Sequence, residues 1–127
     1  MHVLERFEGT RIVALPVAID AAKWPDNALV FRLAADEVLV TGTVAAAVVD
    51  DPHAIVERET GFSTVWLETA VAADFLQGEC DWELPLERPA FAQGIVAGLP
   101  MKVWFERDRV LLIVASPFAA DLMERLR

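Results

Sequence analysis

His2 and His53 are the only histidines in this chain, so any general base working near neutral pH has to be sought there first. His53 stands beside Asp50 and Asp51 and could serve as an oriented base for a serine such as Ser63, if the two segments face each other across a hairpin. A nucleophilic serine of that kind sits on a sharp strand-to-helix elbow, and neither Ser63 nor Ser116 is surrounded by one. His53 therefore reads as a strand-entry residue, and His2 as part of a terminal tail. Cys80 is the single cysteine and cannot form an internal disulfide. No Cys and His spacing matches a structural zinc site, so Cys80 reads as a small buried hydrophobe.

Carboxylates are more plentiful: Asp36-Glu37, Asp50-Asp51, Glu57 with Glu59, and the group Glu79, Asp81, Glu83 and Glu87. Acid-base catalysis needs two carboxyls in environments that drive their proton affinities apart, and this acidic stretch carries no such asymmetry. Its spacing is not that of an EF-hand, so it reads as a solvated loop with no metal. Gly94 and Gly98 lack the third glycine and the following helix of a dinucleotide-binding turn, and no phosphate loop occurs. Four tryptophans remain. Trp66 and Trp104 fall in strand-like segments and suit a core or a sheet face, whereas Trp82 in the acidic stretch is the candidate anchor for a partner's pocket. The site reading is thus no catalytic, cofactor-binding or metal residues, with Trp82, Phe118 and Leu122 as candidate partner-binding residues.

The elements that would position these residues are clearest in the last third. Met101 to Glu106 alternates with Met101, Val103 and Phe105 on one face, which predicts a half-buried strand. Arg107-Asp108 makes a turn, and Arg109 to Ala115 is apolar on both sides, as in a central strand. Ser116-Pro117 predicts a helix start with the serine hydroxyl as cap, and Phe118, Leu122 and Leu126 form one stripe along that helix.

Further upstream, Arg11 to Val17 reads as a strand and Ala21 to Asn27 as a loop, with Trp24 covering a core edge. Ala28 to Leu33 and Glu37 to Thr41 read as a tight hairpin. Thr43 to Asp50 suits either helix or strand, and a short helix with Val44 and Val48 on one face is favoured. Asp51-Pro52 could open a helix running to Gly61. Alternatively His53 to Arg58 is a strand paired with Phe62 to Glu68, which Ile55-Val56 and Thr60-Gly61 favour. Thr69 can cap a helix carrying Val71, Phe75 and Leu76 that stops at a left-handed Gly78, followed by an irregular connection to Pro89.

No linker or repeat divides the 127 residues, so the expectation is one α+β domain, 1-127. It would hold about seven or eight short, mostly antiparallel strands, two or three packed helices, and a C-terminal helix from Ser116. With 55% hydrophobic and 24% charged residues the chain is too apolar for disorder. A net charge of −9, with only Lys23 and Lys102 as lysines, argues against nucleic acid or anionic lipid. The uncharged run Val38 to Val49 is well short of the roughly 20 residues that cross a bilayer, and the N-terminus does not read as a secretion signal. A cytoplasmic location is expected.

The segments also carry a resemblance. Phe31-Arg32-Leu33-Ala34-Ala35-Asp36-Glu37-Val38-Leu39-Val40 resembles a strand, Gly-Pro-Asp-Glu-Trp turn and strand, with Ala34-Ala35 for Gly-Pro and Val38 for the tryptophan. His53-Ala54-Ile55-Val56-Glu57 through Gly61 resembles a segment where a short helix ends and a strand enters. Ala73 through Leu84, with Gln77-Gly78-Glu79-Cys80-Asp81-Trp82, is similar to a helix followed by Lys-Gly-Cys-Pro-Leu-Asp-Leu. Val114-Ala115-Ser116-Pro117-Phe118-Ala119-Ala120-Asp121-Leu122 resembles Val-x-Arg-Ser-Phe-Ala-x-x-Leu. Phe91-Ala92-Gln93-Gly94 keeps only part of a Cys-Ala-Gln-Thr strand.

In that order, over residues 28 to 127, the motifs resemble the gamma subunit of heterotetrameric sarcosine oxidase, related in shape to the folate-binding fold of aminomethyltransferases. The resemblance implies a non-catalytic accessory subunit with no cofactor of its own, partnered by larger flavoprotein subunits. The assembled complex would hold FAD, FMN, NAD and tetrahydrofolate and demethylate sarcosine oxidatively. A homo-oligomer is expected to be open to the isolated chain. The alternative is an independent small-ligand-binding domain that holds a folate-like pterin with an aromatic and an acidic group.

Overall fold

The computed structural model describes residues 2–127. The chain forms two compact units, one from the N-terminal residues up to Arg6 together with Gly61–Arg127, the other from Phe7–Thr60. Among the described residues there are nine strands in two antiparallel sheets and three α-helices, the mixed α+β architecture expected from the sequence.

The first unit is built on β1 (Leu4–Arg6), β6 (Phe62–Glu68), β7 (Ala90–Val96), β8 (Leu99–Phe105) and β9 (Arg109–Ala115), in the order β1-β6-β9-β8-β7. β9 lies at the centre, and Val110 through Val114 are all buried, so its unbroken apolar run marks a strand covered on both faces, as expected. Met101, Val103 and Phe105 of β8 point into the core while Lys102 and Trp104 are half-buried, the alternation expected from the sequence. The β7–β8 hairpin closes on Ala97 and Gly98, both with positive φ, the backbone that a two-residue turn needs to match strand twist.

Helices α2 (Thr69–Glu79) and α3 (Ala119–Arg125) close this core with Ala72, Leu76 and Leu122, which pack with Val65, Leu67, Val103 and Leu112. Three expected helix-end signals are replaced by other contacts. The Thr69 hydroxyl donates to the Arg107 carbonyl at 3.3 Å, and α2 runs through Gly78 without a positive φ. It ends instead where Cys80 turns extended and bridges Val96, so a strand contact terminates the helix. The C-terminal helix does begin at Ser116, through a 3-10 turn over Ser116–Phe118. Its serine hydroxyl caps nothing and shares a hydrogen bond with the Ser63 hydroxyl at 2.9 Å.

The second unit holds β2 (Gly9–Val13), β3 (Val30–Ala34), β4 (Glu37–Thr41) and β5 (Ile55–Glu59) in the order β3-β4-β2-β5. The β3–β4 hairpin matches its expectation, with Ala35-Asp36 in the turn. β2 ends at Val13, four residues before the expected strand end at Val17, because Pro16 opens α1 (Pro16–Ala21). Proline fits there, since its missing N–H would have no helical partner. Ala18 and Ile19 of α1 pack on Ile12, Val38 and Val40, and Trp24 lies half-buried against that core. Thr43 to Asp50 contains only a 3-10 turn at Ala46–Val48.

The buried Thr10 hydroxyl donates to the Gly42 carbonyl at 2.8 Å and accepts from the Val44 N–H at 3.2 Å, fixing the chain as it leaves β4. Arg11 reaches diagonally across the sheet to Glu37 on β4, 3.0 Å, and Glu59 on β5, 3.2 Å. The pairing of β5 corrects the favoured hairpin. β5 pairs with β2, and β6 pairs with β1 and β9. The β-branched residues signalled both strands correctly, but β5 takes its partner from far upstream.

Candidate groove beside the edge strand

Because β5 and β6 do not pair, the ladder that would have set His53 opposite Ser63 is absent. His53 uses its backbone: its N–H donates to Asp51 Oδ1 at 2.9 Å, while the Leu15 N–H donates to Asp51 Oδ2 at 2.9 Å. These bonds, Leu15 first, hold the Asp51 carboxyl below the usual aspartate range. Asp51 thereby ties the entry of α1 to the turn before β5. Ser63 and Ser116 satisfy each other, an arrangement that joins β6 to the start of the terminal helix.

Two of the four tryptophans belong to a polar network on the sheet. Arg109 lays its guanidinium over Trp66, 3.6 Å from the ring centroid, and donates through Nε to Glu106 Oε1 at 2.8 Å. Trp104 Nε1 donates to Glu106 Oε2, also at 2.8 Å. Burial pushes the Glu106 carboxyl upward, but the bonds from Arg109 and Trp104 and the nearby Arg109 charge outweigh it and leave the group below the usual glutamate range. The network is a brace between β6, β9 and the turn before β9.

Trp82 is placed differently. Cys80 bridges Val96 on the outer side of β7, and Trp82 follows with its ring against Gly94. A β-carbon at Gly94 would lie 2.6 Å from Trp82 Nε1, so glycine is what lets the indole approach the strand. The indole N–H donates to the Ile95 carbonyl at 2.9 Å. Aromatic cover over a glycine in an edge strand both fills the missing side chain and occupies part of the open edge. The chain then loops outward and returns at Arg88, whose Nη1 donates to the carbonyls of Pro85, 2.9 Å, and Glu87, 2.8 Å. Arg88 also stacks on Phe105, 4.7 Å from the centroid. Between this loop and β7 lies an open groove of about 560 Å3, walled by Trp82, Leu84, Leu86 and Phe91, with Glu83 and Glu87 beside them.

The three candidate partner-binding residues therefore differ. Trp82 is half-buried at the groove with its N–H already engaged. Phe118 is 37% exposed on the turn into α3, whereas Leu122 is fully buried and holds α3 to the core without presenting surface. Sequence reasoning passed over Leu86, which is 90% exposed, because a lone leucine in an acidic non-periodic stretch carries no pattern. It also passed over Gly94, whose role depends on which side chain folds onto it.

Among the described residues no group of three or more His, Cys, Asp and Glu side chains could hold a metal ion. None of their helices is long and apolar enough to cross a membrane. No family model matches the chain, and no curated protein matches it.

Proposed function

We propose that this chain is a non-catalytic accessory subunit of a sarcosine-oxidase-like flavoenzyme complex, in which larger flavoprotein subunits carry the FAD, FMN, NAD and tetrahydrofolate chemistry. The observation that carries the reading is the ordered set of four sequence segments, taken with the elements beneath them. The strand-turn-strand segment lies on β3 and β4, and the strand-entry segment on β5. The helix-and-cysteine segment covers the end of α2 and the bridge at Cys80, and the closing segment runs from β9 into α3. The strand parts of these motifs fall on strands and the helical parts of the last two on helices, while the strand-entry segment is preceded by a turn and not by a helix.

Two of the side chains weighed for catalysis meanwhile hold the fold. Asp51 accepts from two backbone N–H groups, and Ser63 pairs with Ser116. An accessory role asks the chain to present surface. Co-expression with the larger flavoprotein subunits of a sarcosine-oxidase-like complex, followed by size exclusion, tests this. Co-elution with the flavin absorbance is expected, and elution of this chain apart from every such subunit would overturn it.

A further inference from the structure

Charge and exposure coincide at the groove beside β7. Leu86 projects into solvent between Pro85 and Glu87, an apolar side chain with nine-tenths of its surface uncovered. Glu79, Asp81, Glu83 and Glu87 are all exposed along the same connection, and among the described residues none of them takes part in an ion pair. The carboxylates of Glu37, Glu59 and Glu106, by contrast, each have an arginine. The one cation within the loop, Arg88, is turned to the Pro85 and Glu87 carbonyls and to the Phe105 ring and forms no ion pair with the rim carboxylates.

We propose that this groove is a docking surface for a cationic segment of a partner protein, with Leu86 and the exposed part of Trp82 receiving its apolar side chain and Glu83 and Glu87 receiving its Lys or Arg. An apolar centre with a charged rim is the arrangement in which burial supplies affinity and charge selects the partner. A second copy of this chain is a poor occupant, because the copy brings the same unpaired carboxylates and a net charge of −9. Nucleic acid is repelled for the same reason. The proposal takes the larger subunit as its partner from the accessory reading above, but the groove's preference for a cationic segment stands on the geometry.

The probe is a short fluorescein-labelled peptide alternating Arg and Leu, titrated with the whole chain and followed by anisotropy. Peptides alternating Glu with Leu, and Arg with Ser, serve as controls. Binding of the Arg-Leu peptide is expected to weaken at least about tenfold in Leu86→Ser and in the double variant Glu83→Gln/Glu87→Gln, and to be weaker for both control peptides. All three positions are exposed, so both variants should keep the parent's melting temperature. The proposal is overturned by absence of binding, by unchanged affinity in Leu86→Ser, by equal affinity for the Glu-Leu peptide, or by displacement of the peptide by tetrahydrofolate. If the chain elutes with flavoprotein subunits and both variants leave that complex intact, the docking site is wrong while the accessory reading survives. If the peptide binds as expected but no flavoprotein subunit is retained, the groove stands and the accessory reading falls.

Discussion

Replacing Gly94 with alanine puts a methyl group where the Trp82 indole now lies. The added carbon would sit 2.6 Å from Nε1 and 2.7 Å from Cε2, closer than any real contact, so the ring has to leave the strand. Leaving breaks the bond from Nε1 to the Ile95 carbonyl, worth about 1 kcal/mol. It also returns part of a half-buried indole to water, which adds roughly 1–2 kcal/mol at about 25 cal/mol per Å2. Alanine in place of glycine stiffens the unfolded chain and favours the strand by about 0.5–1 kcal/mol, and Gly94 has no positive φ to oppose the change. The net expectation for Gly94→Ala is a loss of about 1–2.5 kcal/mol, read from urea unfolding with a redder tryptophan emission in the folded state. A double-mutant cycle gives the sharper result. In a Trp82→Ala background the methyl group meets nothing from the indole, so Gly94→Ala should become neutral or stabilising. Equal destabilisation in both backgrounds would refute the reasoning, because the cost would then lie in the strand itself.

Other expectations rest on single side chains. Thr10→Val keeps the shape but removes the one hydroxyl that donates to the Gly42 carbonyl and accepts from the Val44 N–H, and should lower unfolding free energy by about 1–3 kcal/mol in urea titration. Leu122→Ala leaves a cavity under α3 and should destabilise by about 3 kcal/mol, with hydrogen exchange fastest in the terminal helix. Glu106 has a folded pKa below the ordinary glutamate value, so its contribution to stability is present above that value and is lost as pH falls through the folded one. Glu106→Gln should therefore narrow the difference in melting temperature between neutral and acidic pH, and an unchanged acid-side slope would contradict the Arg109 and Trp104 bonds.

Local signals in this sequence are read well and distant partnerships poorly. β9 is legible because five consecutive apolar residues require cover on both faces, and β8 because Met101, Val103 and Phe105 alternate with polar neighbours. The β3–β4 hairpin announces itself through a short polar turn between two apolar runs. β5 was visible as a strand, but nothing in Ile55–Glu59 says that its partner is β2 and not its neighbour in sequence. α1 was hidden because Val17 and Ile19 continue the β-branched run of β2, and Pro16 was read as part of a strand when it is a helix start. At the groove, Trp82 stood out by type and place. Its match with Gly94 could not, since a glycine's value there depends on what folds against it. Ser116 shows the same limit: the spacing found the helix, while the hydroxyl's partner was Ser63 on another strand.

β1 leaves the first unit at Arg6, and the chain returns to the same sheet only at Gly61, with Arg6 standing opposite Ser63 in the ladder. Between those paired residues, apart from the excursion of Phe7 to Thr60, lie only Gly61 and Phe62. The second unit is therefore an insertion between two antiparallel neighbours of the five-stranded sheet, and β6 resumes at once, with Phe62 already opposite Ala115 of β9.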